Sequence, residues 1–329
     1  MTDGARQRNE LAIRGNGPVG TRPEERRGLA LVLVSAACFG ALGVLSQLAY
    51  RAGVPVLGLL WGRYLIAAAV LWLLVGAGRR ALPRGRSAVT GVALGAGYSA
   101  QALLFAESLR HLQASLADLL YFAYPALVAV LATVLRRERW SGRRAGATAV
   151  AIAGLVIGLV GGGRIDPVGV TLALLAALGY AGYVLASSSL LKGIDPLGLA
   201  ALLCTGAALA LGADALAHGQ LVLRAGVHGL LLVVAVALLS TVLGIAAFLA
   251  GVQRLGPSRA SIVSSVEPAL TAAFGFAAFQ DRFGPLQLLG AGLVFGSVLI
   301  LEIRLGGLGG LRGRAVRRYE PALALDTVR

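Results

Sequence analysis

The chain has 329 residues, of which 57% are hydrophobic and only 14% are charged. A soluble domain carries about a quarter of its residues charged, so this composition excludes a soluble globular protein and indicates a membrane protein. The formal net charge of +15 first suggests either nucleic-acid binding or contact with an anionic surface. The positions of the basic residues decide between these alternatives.

Apolar stretches of about 20 residues, the length that crosses a hydrocarbon core of about 30 Å as a helix, alternate with short charged clusters. They predict an all-α integral membrane protein with ten transmembrane helices, arranged as two inverted five-helix repeats. The stretches cover residues 29–50, 55–76, 88–108, 114–135, 142–161, 168–190, 197–216, 226–252, 258–279 and 285–301. The predicted parts are a basic tail at 1–28, repeats at 29–161 and 168–301, and a second basic tail at 302–329.

Basic residues concentrate on one side of the predicted membrane. With the N-terminus in the cytoplasm, the inner tails and loops hold 24 of the 30 Lys and Arg residues, and the five outer connections hold one each. This is the positive-inside pattern of a multi-pass inner-membrane protein with both termini cytoplasmic. The charge therefore requires no nucleic acid, and anionic lipid headgroups are the predicted partners of the inner arginines. The oligomeric state stays open, with a homodimer as one alternative.

An internal repeat relates the two halves. A shift of 143 residues aligns 105–139 with 248–282 without a gap, and nine of the 35 positions are identical, including the pair Pro125 and Pro268. Because each half has five predicted helices, an odd number, the second half must enter the membrane from the opposite side. Inverted repeats of this kind are associated with alternating access in secondary transporters. A duplicated channel or a non-transporting membrane scaffold is the alternative.

Two segments carry a resemblance to a known family, "SLRHLQASLADLLYFAYPALVAVLATVLRRER" at the fourth helix and "GVQRLGPSRASIVSSVEPALTAAFGFAAFQDR" at the ninth. With the ten helices and the repeat, residues 29–301 resemble the EamA-type members of the drug/metabolite transporter superfamily. The resemblance implies export, less often uptake, of amino acids, other metabolites or drugs, without an ATP-hydrolysing subunit. Asp118 stands where the family more often has a small or apolar residue, and Asp281 replaces the usual Glu.

Few ionisable residues lie within the predicted spans, where each is costly and needs a partner or water. Arg63 and Asp118 lie about 12 and 8 Å from the same predicted membrane face, at 1.5 Å per helical residue. We expect Arg63 to bind an anionic group of a small-molecule substrate, such as a carboxylate. The alternative is a fixed ion pair between helices, with Asp118 or Glu107 as the acidic partner.

Glu267 is the most central acid, and Pro268 follows it directly. A proline within a helix cannot donate its backbone hydrogen bond, so the carbonyl of Ser264 loses its partner and the helix kinks. The hypothesis is that Glu267 faces a central cavity and exchanges a proton, or binds a substrate amine, as access alternates. The alternative is a carboxyl bonded to Ser264 or Ser265 that serves helix packing.

The repeat makes Tyr124 and Pro125 the counterparts of Glu267 and Pro268, so a second kink is predicted at Pro125. Tyr121 lies three residues before Tyr124, on a nearby face of the same helix. Together with Tyr98 and Gln101 of the third helix, these rings are predicted to line a cavity. Ordinary helix packing is the alternative for each of them.

The chain lacks the motifs that enzymatic chemistry needs. It contains no P-loop with its Lys-Ser/Thr ending, no cluster of acids for Mg²⁺ and no serine with a mid-membrane histidine. The three histidines have no metal-ligand spacing. We therefore predict a transporter rather than an enzyme, with no cofactor and no metal site.

Glycines recur at spacings of four, which allow membrane helices to approach closely. The pairs are Gly91 and Gly95, Gly142 and Gly146, Gly154 and Gly158, and Gly292 and Gly296.

Overall fold

The computed structural model describes most of the chain between residues 22 and 302. The described residues are 22–78, 84–112, 114–135, 142, 146, 149–150, 152–154, 156–157, 166–218, 225–264, 266–279 and 284–302. Over these ranges all regular structure is helical, which confirms the predicted all-α class. The helices are α1 (Arg22–Arg51), α2 (Val56–Ala77), α3 (Arg86–Ser108), α4 (Ala114–Tyr121), α5 (Tyr124–Val134), α6 (Pro167–Leu190), α7 (Pro196–Ala217), α8 (Val227–Ala235), a π-helix (Val236–Leu243), α9 (Gly244–Leu255), α10 (Pro257–Ser264), α11 (Glu267–Phe279) and α12 (Pro285–Glu302).

Seven helical spans in the described ranges are long and apolar enough to cross a membrane. They comprise α1, α2, α3, the α4–α5 pair, α6, α7, and the continuous run from α8 through the π-helix to α9. The predicted fifth helix falls largely outside the described residues, and the ninth is divided into α10 and α11. The count of ten transmembrane helices therefore stays a prediction.

The interruptions of the two divided helices match each other through the repeat. The α4 helix ends three residues before α5 begins, α10 ends three residues before α11 begins, and these boundaries coincide after a shift of 143 residues. Pro125 and Pro268 each lie at the second position of the helical segment that follows the interruption. In a first helical turn the missing N–H of proline has no intrahelical acceptor to lose. The chain thus has full interruptions just before both prolines, where the sequence predicted kinks.

Packing between the halves is symmetric. The second helices of the two halves, α2 and α7, run antiparallel, because Trp61 packs against Gly212 while Trp72 Nε1 donates a 3.0 Å hydrogen bond to Thr205 Oγ1. The first helix of each half also packs on the third and fourth helices of the other half, α1 on α9 to α11 and α6 on α3 to α5. These are the relations that inverted repeats require.

Glycines let α3 and α7 cross with their backbones in contact. A Cβ atom at Gly95 would overlap the carbonyl of Leu203, and one at Gly206 would overlap the carbonyl of Val92. The small-residue prediction is therefore confirmed for the Gly91 and Gly95 pair. It is not supported at four other positions, where no atom of the described residues lies within 4 Å of the Cβ position: Gly142, Gly146, Gly292 and Gly296.

The two third helices of the repeats differ in local geometry. The eight-residue π-helix interrupts the eighth span, whereas its repeat counterpart, residues 93–100, is ordinary α-helix within α3. Ser35 of α1 donates a 2.8 Å hydrogen bond to the carbonyl oxygen of Gly244, just beyond the π-helix. Such π segments are rare and are frequently found at functional sites.

Candidate functional site

A connected cluster of tyrosines lies where the two halves meet. Six of the eight tyrosines of the chain belong to it, namely Tyr64, Tyr98, Tyr121, Tyr124, Tyr180 and Tyr183. The first four come from the first half and the last two from α6 of the second half, and Phe248 of α9 contacts the cluster at 6.3 Å between ring centroids. All six side chains except that of Tyr121 are buried.

Tyr180 is the hub of this cluster. Its ring centroid lies 4.6 Å from that of Tyr124, 5.6 Å from Tyr121, 5.4 Å from Tyr183 and 6.1 Å from Tyr98. The rings meet in tilted or edge-to-face arrangements, which aromatic quadrupoles favour. The sequence interpretation did not include Tyr180 and Tyr183. The available signal was their three-residue spacing, the same as between Tyr121 and Tyr124, which places both rings on one helix face.

Arg63 is buried beside the tyrosines, with 8% of its surface exposed. Its Nη2 donates a 2.6 Å hydrogen bond to the Tyr64 hydroxyl, and its Cζ lies 4.5 Å from the centroid of that ring, within cation–π range. Within the described residues neither Asp118 nor Glu107 forms an ion pair with it. Glu107 is instead half-exposed and accepts a 3.1 Å hydrogen bond from Arg110. The predicted pairing alternative for Arg63 is therefore absent, and Glu107 lies apart from the cluster.

The structure groups Asp118 with Glu267 instead. Glu267 begins α11 and is partly buried, and its carboxyl interacts electrostatically with Asp118 and with the hydroxyls of Tyr121 and Tyr124. Two neighbouring carboxylates in a medium of low dielectric constant repel each other. A proton or a ligand amine bound between them would remove that repulsion.

The polar residues of the interrupted helices occupy matched positions. Each set has a spacing of three residues, and a shift of 143 places one set on the other: Asp118, Tyr121 and Tyr124 in the first half, and Ser261, Ser264 and Glu267 in the second. Ser264 Oγ is buried and has no hydrogen-bond partner among the described residues. The predicted alternative in which Ser264 bonds Glu267 is thus absent, and Ser265 lies outside the described residues.

Several buried polar atoms around this region have no hydrogen-bond partner in the described part of the chain. They are Arg63 Nε, Gln101 Oε1, Tyr124 Oη, Ser187 Oγ, Ser240 Oγ and Ser264 Oγ. Gln101 lies against α6, where a Cβ atom at Gly179 would come within 2.9 Å of Gln101 Cβ. Buried polar groups are normally hydrogen-bonded, so these atoms provide unused donors and acceptors for a polar ligand or for water.

A bundle of membrane-spanning helices with a polar and aromatic cluster between two repeats defines a membrane transporter of the repeat-built class. The model of the EamA-like transporter family matches this chain twice, at residues 26–160 and 167–303. The chain belongs to the EamA-like transporter family, part of the drug/metabolite transporter superfamily that the sequence resembles. The two matches confirm that the chain holds two copies of the family's unit.

One curated relative and one solved structure extend this result. "Uncharacterized transporter YcbK" of Bacillus subtilis (strain 168) is 28% identical over 299 residues, which cover 85% of this chain and 94% of the relative. A chain whose title reads "Crystal structure of protein" has a TM-score of 0.66 and 16% identity, over 88% of this chain and 98% of that one. At that identity the second likeness shows the fold alone.

Proposed function

We propose that this transporter moves a small organic metabolite across the membrane by alternating access, with the tyrosine cluster as its substrate site. The observation that carries the proposal is the position of the cluster, which is built by helices of both halves and holds polar atoms without partners. Substrate sites of repeat-built carriers lie near the membrane midplane between the repeats. A ligand bound there contacts both halves, so movement of one half against the other changes the side from which it is reached.

The favoured substrates are amino acids and related compounds, with cationic drugs next. Arg63 supplies a buried guanidinium that has no acidic partner among the described residues, and its planar fork suits a carboxylate. Glu267 and Asp118 supply carboxyls that suit an amine. The tyrosine rings between them offer apolar faces and hydroxyls to the rest of the substrate.

Glu267 is the proposed site of proton coupling. Its carboxyl takes up a proton when substrate is absent and releases it when a substrate amine binds, so proton and substrate alternate at one site. Asp118 favours this exchange, because two adjacent carboxylates are stabilised by one bound proton or one bound cation. Glu267 and Asp118 lie on the interrupted helices of opposite halves, so this exchange is linked to the movement between the halves.

The proposed location is the plasma or inner membrane with both termini cytoplasmic, on the basis of the excess of Lys and Arg in the predicted inner loops. Export is the proposed direction, and it rests on the family resemblance.

The test uses purified protein in proteoliposomes with an imposed pH gradient. A thermal-shift screen of amino acids, other metabolites and cationic drugs first selects the substrate, because a ligand that binds the folded state raises its apparent stability. Glu267→Gln is expected to abolish proton-driven flux and leave the protein folded. Glu107→Gln, at the half-exposed acid outside the cluster, is the matched control and should keep wild-type flux.

Flux that is unchanged and still pH-dependent in Glu267→Gln would contradict the coupling role. Saturable flux with counterflow by substrate on the opposite side supports a carrier. Passive flux without saturation would contradict alternating access and favour the channel alternative.

A further inference from the structure

A contact at one end of the bundle joins the two halves through a histidine. His111, just after α3, places Nδ1 2.9 Å from Oδ2 of Asp166, the residue before α6. Asp166 also caps α6, because its Oδ1 accepts a 2.8 Å hydrogen bond from the Val168 N–H. We call this pair the His contact. It connects the end of the third helix of one half to the start of the first helix of the other.

At the opposite end of the bundle, an arginine makes the equivalent connection. Arg254 of α9 donates a 3.2 Å hydrogen bond from Nε to Glu24 Oε2 of α1, and Arg259 of α10 donates one of 2.6 Å to Glu25. We call the pair of Arg254 and Glu24 the Arg contact. Because α1 and α9 run antiparallel, it lies where α1 begins, whereas the His contact lies where the parallel helix α3 ends.

The internal repeat relates the two contacts to each other. A shift of 143 residues places His111 on Arg254. Each cation packs on a glycine in the first helix of the other half: a Cβ atom at Gly169 would lie 2.7 Å from His111 Cβ, and one at Gly28 would lie 3.1 Å from Arg254 Cβ. The same backbone arrangement thus occurs at both ends, with imidazole at one and guanidinium at the other.

The two cations differ in their response to pH. An arginine stays charged at all physiological pH values, whereas a histidine changes its charge between about pH 5 and 8. The charged groups that face His111 from the described elements are Asp166 and Glu107, whose Oε1 is 4.0 Å from His111 Nε2 and also binds Arg110. The His111 imidazole and the Val168 N–H hold the pKa of the Asp166 carboxyl below its usual range.

We propose that the His contact and the Arg contact are opposing gates of the transport cycle, and that only the His contact is controlled by pH. This inference rests on the proposed alternating access. Each contact closes its own end of the bundle, and because the halves move as units, closing one end favours opening the other. In the predicted topology the His contact faces outward.

The direction of the pH effect follows from the charges. A charge-assisted hydrogen bond between imidazolium and carboxylate is stronger than the neutral bond that remains after His111 loses its proton. The His contact is therefore strongest when His111 is protonated and Asp166 is ionised, and it weakens as pH rises through the titration of the imidazole. Acidification on that side consequently closes that end. Both side chains are about a third exposed, so solvent screening limits the change in gate opening to about two- to fivefold.

Hydrogen–deuterium exchange on the full protein in lipid nanodiscs tests this proposal without a known substrate. Exchange at pH 5.5 and pH 8.0 is corrected for the intrinsic pH dependence of amide exchange and measured for residues 109–112 and 166–170 at the His contact. The Arg contact is followed at residues 24–28 and 252–256. Wild-type protein should show about two- to fivefold more protection of the His contact at the lower pH, with a smaller opposite change at the Arg contact.

Two exchanges of the cations are the deciding variants. His111→Arg should keep the His contact closed and remove its pH dependence, and Arg254→His should introduce pH dependence at the Arg contact. His111→Gln, which keeps a hydrogen-bonding side chain without the charge, is measured in parallel in case the larger arginine disturbs packing. His218→Arg is the matched control and should change neither contact, because His218 pairs with Asp214 within α7.

The proposal is overturned if wild-type exchange at the His contact is independent of pH, or if pH dependence persists in both His111→Arg and His111→Gln. A pH response at the His contact with no opposite response at the Arg contact would overturn the link between the gates. A protein that shows the full exchange pattern but transports nothing would contradict the proposed function alone. Transport without the pattern would contradict the gates alone.

Discussion

Arg63 offers a prediction in which stability and binding separate two roles. If the residue were half of a buried ion pair, its removal would cost about 3–5 kcal/mol, because an acid would be left without its partner. The described structure contains no such acid at Arg63. What Arg63→Gln loses is one charge-assisted hydrogen bond to Tyr64, about 1.5–3 kcal/mol, and a cation–π contact.

The burial of an unneutralised guanidinium opposes these gains, because taking a charge out of water is costly. We therefore expect the free energy of unfolding to change by less than about 2 kcal/mol in Arg63→Gln, well below the cost of breaking a buried ion pair. Affinity for a carboxylate substrate should fall by the value of a charged hydrogen bond, about 1.5–3 kcal/mol or roughly ten- to 150-fold.

Thermal unfolding in detergent, with and without the ligand selected by the screen, measures both quantities on one sample. Arg63→Lys keeps the charge without the planar fork and should show intermediate affinity. Arg110→Gln, at an exposed arginine, controls for the loss of one positive charge. A loss of more than 3 kcal/mol of stability with unchanged ligand affinity would refute the binding role and make Arg63 a structural residue.

Two further predictions concern packing. Gly206→Ala should lower the free energy of unfolding by about 1–3 kcal/mol, because its Cβ overlaps the Val92 carbonyl; Gly97→Ala, with no described atom within 4 Å of the Cβ position, should change it far less, and equal effects on thermal unfolding would contradict the crossing. Tyr180→Ala should cost about 3–5 kcal/mol through the cavity it leaves and weaken substrate binding, whereas Tyr180→Phe keeps the ring contacts; similar ligand affinity in both variants, measured by calorimetry, would exclude Tyr180 from the substrate site.

The sequence by itself determined the class of the protein, the duplicated plan and the places where helices break. The length of an apolar stretch, the repeat shift of 143 residues and a proline are local properties that no distant partner changes. The glycine prediction was correct at Gly91 and Gly95 and unsupported at Gly292 and Gly296, because spacing creates a flat face but does not say whether another helix reaches it.

Only the tertiary structure decided which side chains meet. It placed Asp118 with Glu267 rather than with Arg63, left Glu107 near the surface, and brought Tyr180 and Tyr183 into the cluster. A soluble helix reveals its inward face by amphipathic periodicity, but a helix that is apolar all round does not. Depth along each helix could therefore be estimated from the sequence, whereas the rotation of each helix and the identity of its neighbours came from packing between the two halves.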